Sequence, residues 1–283
     1  MTQISRAVLI TGCSSGIGRA TALRLAGGGW SVYASARRAS AIADLADAGC
    51  RLLSLDVTDE MSMKDAVATV QRESGAVGVL VNNAGYSQSG AVETVPMEAV
   101  RRQFETNVFG LVRLTQLALP GMREQRWGKV VNIGSMGGRL TFPGGGYYHA
   151  TKYALEALSD ALRFEVSGFG IDVTLIEPGL ITTEFGNVAA GSLADAPLDE
   201  RDPYAAFNAL VGAATKGIYE GPMRMFGGGP DRVAKTIEKA ISRRRAPTRV
   251  AVTASARMTI PLRSVLPDRL WDAAMARQFP RPR

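Results

Sequence analysis

With 283 residues, 31 glycines and 46% hydrophobic content, the chain is long enough for one large α/β domain or two small ones. The net charge of +7 is concentrated at one end, because ten arginines against two acids from Arg243 onward give +8 and leave −1 for the rest. A nearly neutral body excludes the diffuse basic character that nucleic-acid binding requires.

Short apolar runs alternate with helical patterns from the first residues onward. The predicted strands are 7–10, 31–34, 52–55, 77–81, 129–133, 171–176 and 249–253. Helical stretches are predicted at 17–26, 39–48, 60–74, 96–123 with a kink near Pro120, 147–166, 230–243 and 267–278. Repeated strand–helix units predict an α/β fold: a Rossmann-type, doubly wound parallel sheet of about seven strands with helices on both faces.

We expect a single oxidoreductase domain over residues 1–283 with two additions. Residues 184–230 hold scattered glycine, proline and alanine, a composition typical of a substrate-binding lid.

Two cysteines fit neither a disulfide framework nor a metal site. The first residues lack a signal-peptide core, and no apolar run approaches the ~20 residues that span a bilayer, so we expect a soluble, cytoplasmic, metal-free protein.

The second addition is a basic C-terminal extension, residues 254–283, which allows two interpretations. The preferred one is a solvated surface combined with a lid element. The other is contact with an anionic membrane surface. That contact would use Leu266, Leu270, Trp271 and Met275 together with Arg263, Arg269 and Arg277.

A glycine-rich turn follows the first predicted strand and opens the first helix. Its sequence runs from Thr11 to Gly18, and the residues expected to bind a nucleotide are Gly12, Ser14, Ser15, Gly16, Ile17 and Gly18. Glycines permit the tight turn and close approach of the backbone to a pyrophosphate, while the helix start offers free N–H groups to the anion. At the first strand–helix junction this spacing predicts a dinucleotide site.

The residues after the second strand indicate which dinucleotide binds. A carboxylate at this point would bind the ribose 2′-hydroxyl of NAD, but no acid occurs before Asp44. Arg37 and Arg38 stand there instead, and guanidinium groups suit a 2′-phosphate. The sequence therefore favours NADP over NAD, with Arg37 the stronger candidate and the alternative that both arginines are merely solvated.

Tyr148 and Lys152 are the candidate catalytic pair. Four residues apart, they lie on one helix face, whereas Tyr147 and Tyr153 point elsewhere. A nearby ammonium favours the phenolate and lowers a phenol pKa from its usual value near 10. The single histidine, His149, points away from this face, so we expect it to serve packing rather than catalysis.

Several motifs in order and spacing together resemble the short-chain dehydrogenase/reductase family over roughly residues 5–185. They are the Thr11–Gly18 turn, Asp56 with Val57, Asn82-Asn83-Ala84-Gly85, Asn107, Ser135, Tyr148 with Lys152, and Pro178-Gly179.

The resemblance implies a role for each of these positions. Tyr148 is the acid/base, Lys152 lowers its pKa and binds the nicotinamide ribose, Ser135 polarises the substrate oxygen, and Asn107 holds a water. Further cofactor contacts are implied at Asp56, Val57, Asn83, Ala84, Gly85, Pro178, Gly179, Ile181 and Thr183. Substrate contacts are expected from Ser135, Phe142, Tyr148 and Phe185.

Within the family, the chain looks most similar to the branch of hydroxysteroid and retinol dehydrogenases, which implies a lipophilic alcohol or carbonyl substrate. Tyr86, Met136, Phe142, Pro143, Tyr147 and Phe185 would form the pocket wall. One alternative is a reductase of 3-oxoacyl or other small carbonyl compounds, and another is an NADP-binding regulatory protein without turnover. A homodimer or homotetramer is expected, formed through the helices at 97–123 and 147–166.

Overall fold

The computed structural model describes residues 4–182, 203–221 and 225–279. A sheet of seven parallel strands forms its centre, in the order β3-β2-β1-β4-β5-β6-β7. The strands are β1 (Val8–Ile10), β2 (Val32–Ala36), β3 (Arg51–Ser54), β4 (Val79–Asn82), β5 (Gly128–Ile133), β6 (Ile171–Glu177) and β7 (Arg249–Ala251). The predicted doubly wound fold and its strand count are confirmed.

Helices cover both faces of this sheet. They are α1 (Gly16–Gly27), α2 (Glu60–Ser74), α3 (Met97–Phe104), α4 (Gly110–Glu124), α5 (Gly146–Val166), α6 (Ala205–Glu220), α7 (Pro230–Ser242), α8 (Ala254–Val265) and α9 (Asp268–Gln278). Among the described residues no helix has the length and apolar character to cross a membrane.

The alternation of side chains along β1 shows how the two layers form. Val8 and Ile10 join a buried cluster with Leu25 of α1 and Ile237 of α7. Leu9, between them, points to the opposite face and joins a second cluster with Leu114 of α4. Because successive residues of a strand face opposite sides, a short apolar run such as this one is buried on both faces.

The helical region predicted over 96–123 is present from Met97 to Glu124, but it contains a π-helical turn, Glu105–Phe109, and α4 continues past Pro120. Two other local predictions were wrong in detail. The stretch 39–48 is a 3-10 helix only over Ala39–Leu45. The C-terminal extension contains two helices rather than one, because the Thr253 side chain accepts a hydrogen bond from Ala256 N (3.3 Å) and so begins α8.

The strand order reverses beside β1, and this reversal positions the site. The chain moves from β1 to β2 and β3 on one side and then crosses to β4 on the other. The turns that leave β1 and β4 therefore meet at the carboxyl edge of the sheet, where open α/β sheets bind their ligands.

Candidate active site

The turns after β1 and β4 hold each other in place. The buried Thr11 hydroxyl accepts hydrogen bonds from the backbone N–H groups of Asn83 (3.0 Å) and Ala84 (2.9 Å). In return the Asn83 side-chain amide donates to the carbonyls of Thr11 (2.8 Å) and Gly12 (3.1 Å). The amide nitrogen of Asn83 is thus occupied in bracing the glycine turn, a role that the sequence did not suggest.

Three positions of this turn require glycine. Gly12 and Gly16 have φ angles of +72° and +56°. A Cβ at Gly18 would lie 2.3 Å from the Gly12 carbonyl oxygen and 2.5 Å from Asn83 Nδ2, closer than any side chain can approach. Ser15 precedes α1 without capping it by its side chain, so the first N–H groups of α1 are open to an anion.

Hydroxyl and guanidinium groups surround the open start of α1. The Cys13 N–H donates to the Ser35 carbonyl (2.8 Å), which holds the glycine turn beside the end of β2. Ser14 is exposed on that turn, as is Ser15. Arg37 and Arg38 follow β2 directly and are also exposed, and neither forms an ion pair with a described residue. Four side chains are therefore free to meet a phosphate at this edge.

The carboxylates near this edge differ in how they are engaged. Asp44, the first acid after β2, is paired with Arg19. Asp56 follows β3 with the buried Val57, and its Oδ1 accepts from Thr58 N (2.9 Å) and Thr58 Oγ1 (2.7 Å). Oδ1 of Asp56 thus stabilises the turn. The second carboxylate oxygen can accept a hydrogen bond from an amino group of a ligand.

Lys152 lies buried beside Tyr148 on α5. Its ammonium donates to the Ile133 carbonyl at the end of β5 (2.7 Å) and lies 5.8 Å from the centroid of the Tyr148 ring. Burial lowers the pKa of Lys152 to about 8, so the group is still largely a cation at neutral pH. Tyr147 instead donates its hydroxyl to the Val92 carbonyl (3.0 Å), and Tyr153 is exposed. The predicted separation of the three tyrosines is therefore present in the structure.

Ser135 follows β5 and begins a short 3-10 turn, Met136–Gly138. Its half-buried hydroxyl accepts a hydrogen bond from Gly137 N (3.0 Å) and keeps its own proton available to donate. The Met136 N–H donates to the Pro178 carbonyl (2.8 Å), so the turn is tied to the segment that follows β6. Ser135 can therefore polarise an oxygen held in front of it.

Asn107 lies in the π-helical turn between α3 and α4 and is buried. Its Nδ2 donates to the Tyr86 carbonyl (2.9 Å) and to Thr151 Oγ1 (3.2 Å), and its Oδ1 accepts from Tyr86 N (3.1 Å). The Thr151 hydroxyl in turn donates to the Tyr148 carbonyl (2.7 Å). Protein groups occupy the side-chain amide of Asn107. If Asn107 holds a water, as the resemblance implies, its main-chain carbonyl must bind that water.

His149 connects α5 to the loop that carries Ser135. Its Nε2 accepts from Phe142 N (3.2 Å), so Nδ1 carries the proton and donates to the Gly137 carbonyl (2.9 Å). Burial is the main cause that lowers the pKa of His149 and keeps the ring neutral. This ring orders the loop, in agreement with the structural role predicted for it.

The effect of pH on stability can test this role of His149, the only histidine in the chain. Because the folded pKa lies below the unfolded value of about 6.5, the unfolded state takes up the proton first and stability is lost as pH falls through this range. We expect His149→Asn to lower the free energy of unfolding by about 1–3 kcal/mol at neutral pH. We also expect that deficit to shrink toward pH 5 in denaturant titrations. A deficit that is constant with pH would contradict a buried neutral ring.

The segment after β6 is held by two residues that the sequence analysis missed. Ser255 Oγ accepts from Leu180 N (3.1 Å) and lies 2.8 Å from Thr253 Oγ1. A Cβ at Gly179 would lie 2.2 Å from Thr253 Oγ1, and Ile181 is buried. Both hydroxyl residues follow β7 at the start of α8, where no sequence motif marks them. Of the other residues expected here, Thr183 and Phe185 lie outside the described residues.

An aromatic cluster packs around Phe142, in the loop that follows Ser135. The Phe142 ring lies 5.9 Å from His149 and 6.3 Å from Trp271 of α9. Phe142 also joins a cluster in which Ala91, Phe207, Val211, Phe279, Tyr204 and Met275 pack together. The C-terminal extension thus packs on the loop that follows Ser135, whereas Tyr147 packs against Val95, Ala99 and Val100.

Part of the face that membrane contact would use is engaged within the protein. Trp271 is buried, and Met275 packs into the aromatic cluster. Arg263 lies over the Trp271 ring (5.4 Å) and pairs with Asp268 at 2.6 Å. Two of the four apolar residues and one of the three arginines of the expected contact face are therefore used within the protein.

Metal chemistry was not expected, and within residues 4–182, 203–221 and 225–279 no group of three His, Cys, Asp or Glu side chains could hold a metal ion. Burial raises the pKa of Cys13 to about 12, so its thiol stays protonated behind the glycine turn.

The site combines a glycine turn that is open to a phosphate, where the strand order reverses, with a tyrosine, a buried lysine and a serine. These features define a nicotinamide-dependent oxidoreductase. Comparison with known proteins agrees. The family model for short chain dehydrogenases matches residues 6–191, and the chain belongs to the short-chain dehydrogenase/reductase family. The family binds nicotinamide cofactors, acts on small-molecule substrates and is typically oligomeric.

Three similar proteins illustrate the range of the family. A 3-ketodihydrosphingosine reductase of Bacteroides thetaiotaomicron is 42% identical over 178 residues, 63% of this chain and 65% of that one. The crystal structure of a short-chain dehydrogenase from Streptomyces avermitilis has a TM-score of 0.78 and 36% identity, and covers 98% of each chain. A serine dehydrogenase in complex with NADP+ has a TM-score of 0.74 and 28% identity, covering 87% of this chain and 94% of that one.

Proposed function

We propose that this oxidoreductase interconverts a lipophilic alcohol and the corresponding ketone or aldehyde with NADP(H) in the cytoplasm, with Tyr148 as acid/base. The observation that carries the proposal is the buried ammonium of Lys152, 5.8 Å from the Tyr148 ring. A cation in a low-dielectric site stabilises the phenolate, so the phenol can exchange its proton near neutral pH.

Each protein group has a defined task in this reaction. The nicotinamide, when bound, supplies or accepts the hydride. In reduction the Tyr148 hydroxyl donates its proton to the carbonyl oxygen, and in oxidation the phenolate takes the proton of the alcohol. The Ser135 hydroxyl donates a hydrogen bond to the same oxygen. Lys152 binds the ribose next to the nicotinamide, and Asn107 braces the helix that carries Tyr148 through Thr151.

The glycine turn and its neighbours form the proposed cradle for the rest of the cofactor. Gly12, Gly16, Ile17 and Gly18 would bring the start of α1 against the pyrophosphate, and Ser14 and Ser15 would add hydroxyl groups. Asp56 and Val57 would bind the adenine, and Ala84 and Gly85 its ribose. Pro178, Gly179 and Ile181 would pack on the nicotinamide, and Pro178 is hydrogen-bonded to the turn that carries Ser135.

We assign the preference for NADP to Arg37, with Arg38 as the second candidate. Both are exposed at the end of β2, and Asp44 is already paired with Arg19. A carboxylate at position 37 would repel the 2′-phosphate and could bind a ribose hydroxyl instead. The serine dehydrogenase that shares this fold binds NADP+, which supports the assignment.

Arg37→Asp tests the assignment directly. We expect the ratio of kcat/KM for NADPH to that for NADH to fall about ten- to hundredfold, because a charge-assisted hydrogen bond contributes about 1.5–3 kcal/mol. Arg38→Asp is the matched control, with the same charge change one residue further on. A ratio that changes only in the Arg38 variant would move the phosphate contact to Arg38.

We propose a lipophilic substrate because aromatic and apolar side chains lie beside the loop that carries Ser135. Phe142 and Trp271 lie 6.3 Å apart there, and Phe207 and Phe279 are buried in the apolar cluster that Phe142 joins. Large apolar surfaces of this kind bind steroid- or retinoid-like molecules through area buried from water. The Bacteroides relative is named as the reductase of a keto compound, which agrees with a carbonyl substrate.

The alternative activity, reduction of 3-oxoacyl or other small carbonyl compounds, would use the same catalytic set. Oxidation of NADPH measured against ketosteroids, retinals, acyl thioesters and aromatic ketones distinguishes the two classes. We expect the lowest KM values for the ring-containing lipophilic carbonyls. Turnover confined to acyl thioesters would favour the alternative.

We propose that the chain assembles as a homodimer or homotetramer through α4 and α5. These helices and the turn between α3 and α4 present exposed apolar side chains, namely Phe109, Tyr153, Leu158 and Phe164, the last with 85% of its surface accessible. Apolar patches of this kind on a protein surface mark interaction sites. Light scattering coupled to gel filtration gives the number of subunits.

A further inference from the structure

Two buried glutamates, Glu156 and Glu177, lie where α5 packs against the end of β6. Glu156 lies on α5, one turn after Lys152, and Glu177 is the last residue of β6, directly before Pro178. Only 8% of Glu156 and 3% of Glu177 is accessible to solvent. Both carboxyl groups contact the same guanidinium, that of Arg249. A buried carboxylate is costly unless its charge and its oxygen atoms are compensated.

Arg249 of β7 supplies most of the positive charge at this place. Its guanidinium donates to Glu156 Oε2 through Nε (3.0 Å) and through a terminal nitrogen (2.8 Å), and its Nε lies 3.5 Å from Glu177 Oε1. Arg139 approaches Glu156 Oε2 at 3.6 Å from the partly exposed loop after the 3-10 turn. The guanidinium of Arg249 therefore contacts both buried glutamates.

The remaining charged groups around the pair do not change this balance. Asp160, on the next turn of α5, also accepts from Arg249 (3.0 Å) but is paired with the partly exposed Arg163 at 2.5 Å. The ammonium of Lys152 is directed to the Ile133 carbonyl instead. With both glutamates ionised, two like charges would lie together in the protein interior.

The unsatisfied oxygen atoms indicate how the repulsion between the two glutamates is relieved. Oε1 of Glu156 and Oε1 of Glu177 are both buried and have no hydrogen-bond partner among the described residues. Two neighbouring carboxyl groups can share one proton, because the protonated group then donates a hydrogen bond and the ionised group accepts it. Burial and the neighbouring Glu156 raise the pKa of Glu177 above its usual range.

We propose that Glu156 and Glu177 share one proton at neutral pH, and that this hydrogen bond fixes the helix of Tyr148 and Lys152 against the end of β6. The pair joins the two elements that carry the proposed chemistry, since Lys152 precedes Glu156 by one turn and Pro178 follows Glu177. A Cβ at Gly138 would meet both the Lys152 carbonyl (2.8 Å) and Glu156 Oε1 (3.1 Å), so the Ser135 loop packs on the same spot. Glu156 and Glu177 are positioning residues, and this part of the inference rests on the proposed function.

Infrared spectroscopy of the full chain tests the shared proton without relying on activity. At about pH 6, well above the ordinary carboxyl pKa of about 4.3, we expect a C=O band of a protonated acid that shifts in D2O. Glu156→Gln and Glu177→Gln should each lose this band, because the remaining glutamate then ionises beside Arg249. Asp160→Asn, the matched control at the same guanidinium, should keep it. A band that persists in Glu177→Gln, or no band in the unsubstituted protein, would overturn the proposal.

Stability against pH gives an independent test of the same proton. A carboxyl whose pKa is raised on folding binds its proton more tightly in the native state, so its contribution to stability decreases as pH rises from about 4.3 upward. Glutamine cannot ionise. We therefore expect the denaturation midpoint of Glu177→Gln to increase, relative to that of the unsubstituted protein, from about pH 5 to about pH 8. A difference that does not change with pH would contradict the shared proton.

The positioning role has its own readout in the kinetics. We expect Glu177→Ala to lower kcat by about tenfold or more with little change in the KM for NADPH, because a misplaced acid/base affects the chemical step more than binding. Glu177→Gln, which keeps the hydrogen bond, should restore kcat to within about threefold. Equal losses in both variants would remove the positioning role. If no carbonyl is turned over, the proposed function fails, while the infrared and unfolding measurements still decide the shared proton.

Discussion

Tyr148→Phe should lower kcat by about a hundredfold to ten-thousandfold while NADPH binds with nearly unchanged affinity. The substitution removes one oxygen atom, which is the proton donor and acceptor of the proposed reaction, and general acid–base catalysis contributes an effect of this size. The ring remains and keeps its contact with His149, whose centroid lies 5.7 Å away. Steady-state kinetics and a fluorescence titration with NADPH measure the two quantities separately.

Tyr147→Phe and Tyr153→Phe are matched controls, because each removes the same atom from the same helix. Tyr147 would lose only its hydrogen bond to the Val92 carbonyl, and Tyr153 is exposed. We expect both variants to retain kcat within a few-fold. Substantial activity in Tyr148→Phe, or a comparable loss in Tyr147→Phe, would place the acid/base elsewhere.

Gly18→Ala should destabilise the protein and weaken NADPH binding at the same time. The new methyl group would lie 2.3 Å from the Gly12 carbonyl oxygen, so either α1 moves away from the turn or the turn opens. Overpacking of this kind costs about 1–3 kcal/mol, and the shifted turn no longer presents its N–H groups to the pyrophosphate. A loss of that size in binding corresponds to a ten- to hundredfold higher Kd for NADPH.

Gly27→Ala in the same helix is the control. A Cβ at Gly27 meets nothing within 4 Å, so the change reduces the entropy of the unfolded chain without a clash. We expect it to leave the Kd for NADPH unchanged and to raise stability by up to about 1 kcal/mol. Similar Kd values in the two variants would show that Gly18 does not set the packing of α1 on the nucleotide turn.

The sequence predicted the fold because its signals are local. Val8, Leu9 and Ile10 form an apolar run that is buried on both faces, and the glycine turn follows directly. Parallel pairing and the handedness of the crossovers then leave few arrangements for such units. Tyr148 could be separated from Tyr147 and Tyr153 by helix geometry alone, since a difference of one position is a large rotation.

Other features could not be predicted because they depend on contacts between distant parts of the chain. Ser255 and Thr253 hold the segment after β6, yet each is an ordinary hydroxyl residue in the sequence. Trp271 was named for a possible membrane-contact face of the basic tail, but its ring packs on Phe142, 129 positions earlier in the sequence. Glu156 and Glu177 have no local pattern that would reveal that they meet.

The most direct test of the proposed reaction follows deuterium from the cofactor to the product. NADPH that carries deuterium at both C4 positions is incubated with the protein and the carbonyl panel, and the alcohols are analysed by mass spectrometry. We expect one carbon-bound deuterium in the alcohol formed from a lipophilic carbonyl, appearing at least about a hundredfold more slowly with Tyr148→Phe. NADPH that binds but labels no carbonyl compound of either class would contradict the proposed reaction and favour a nucleotide-binding protein without turnover.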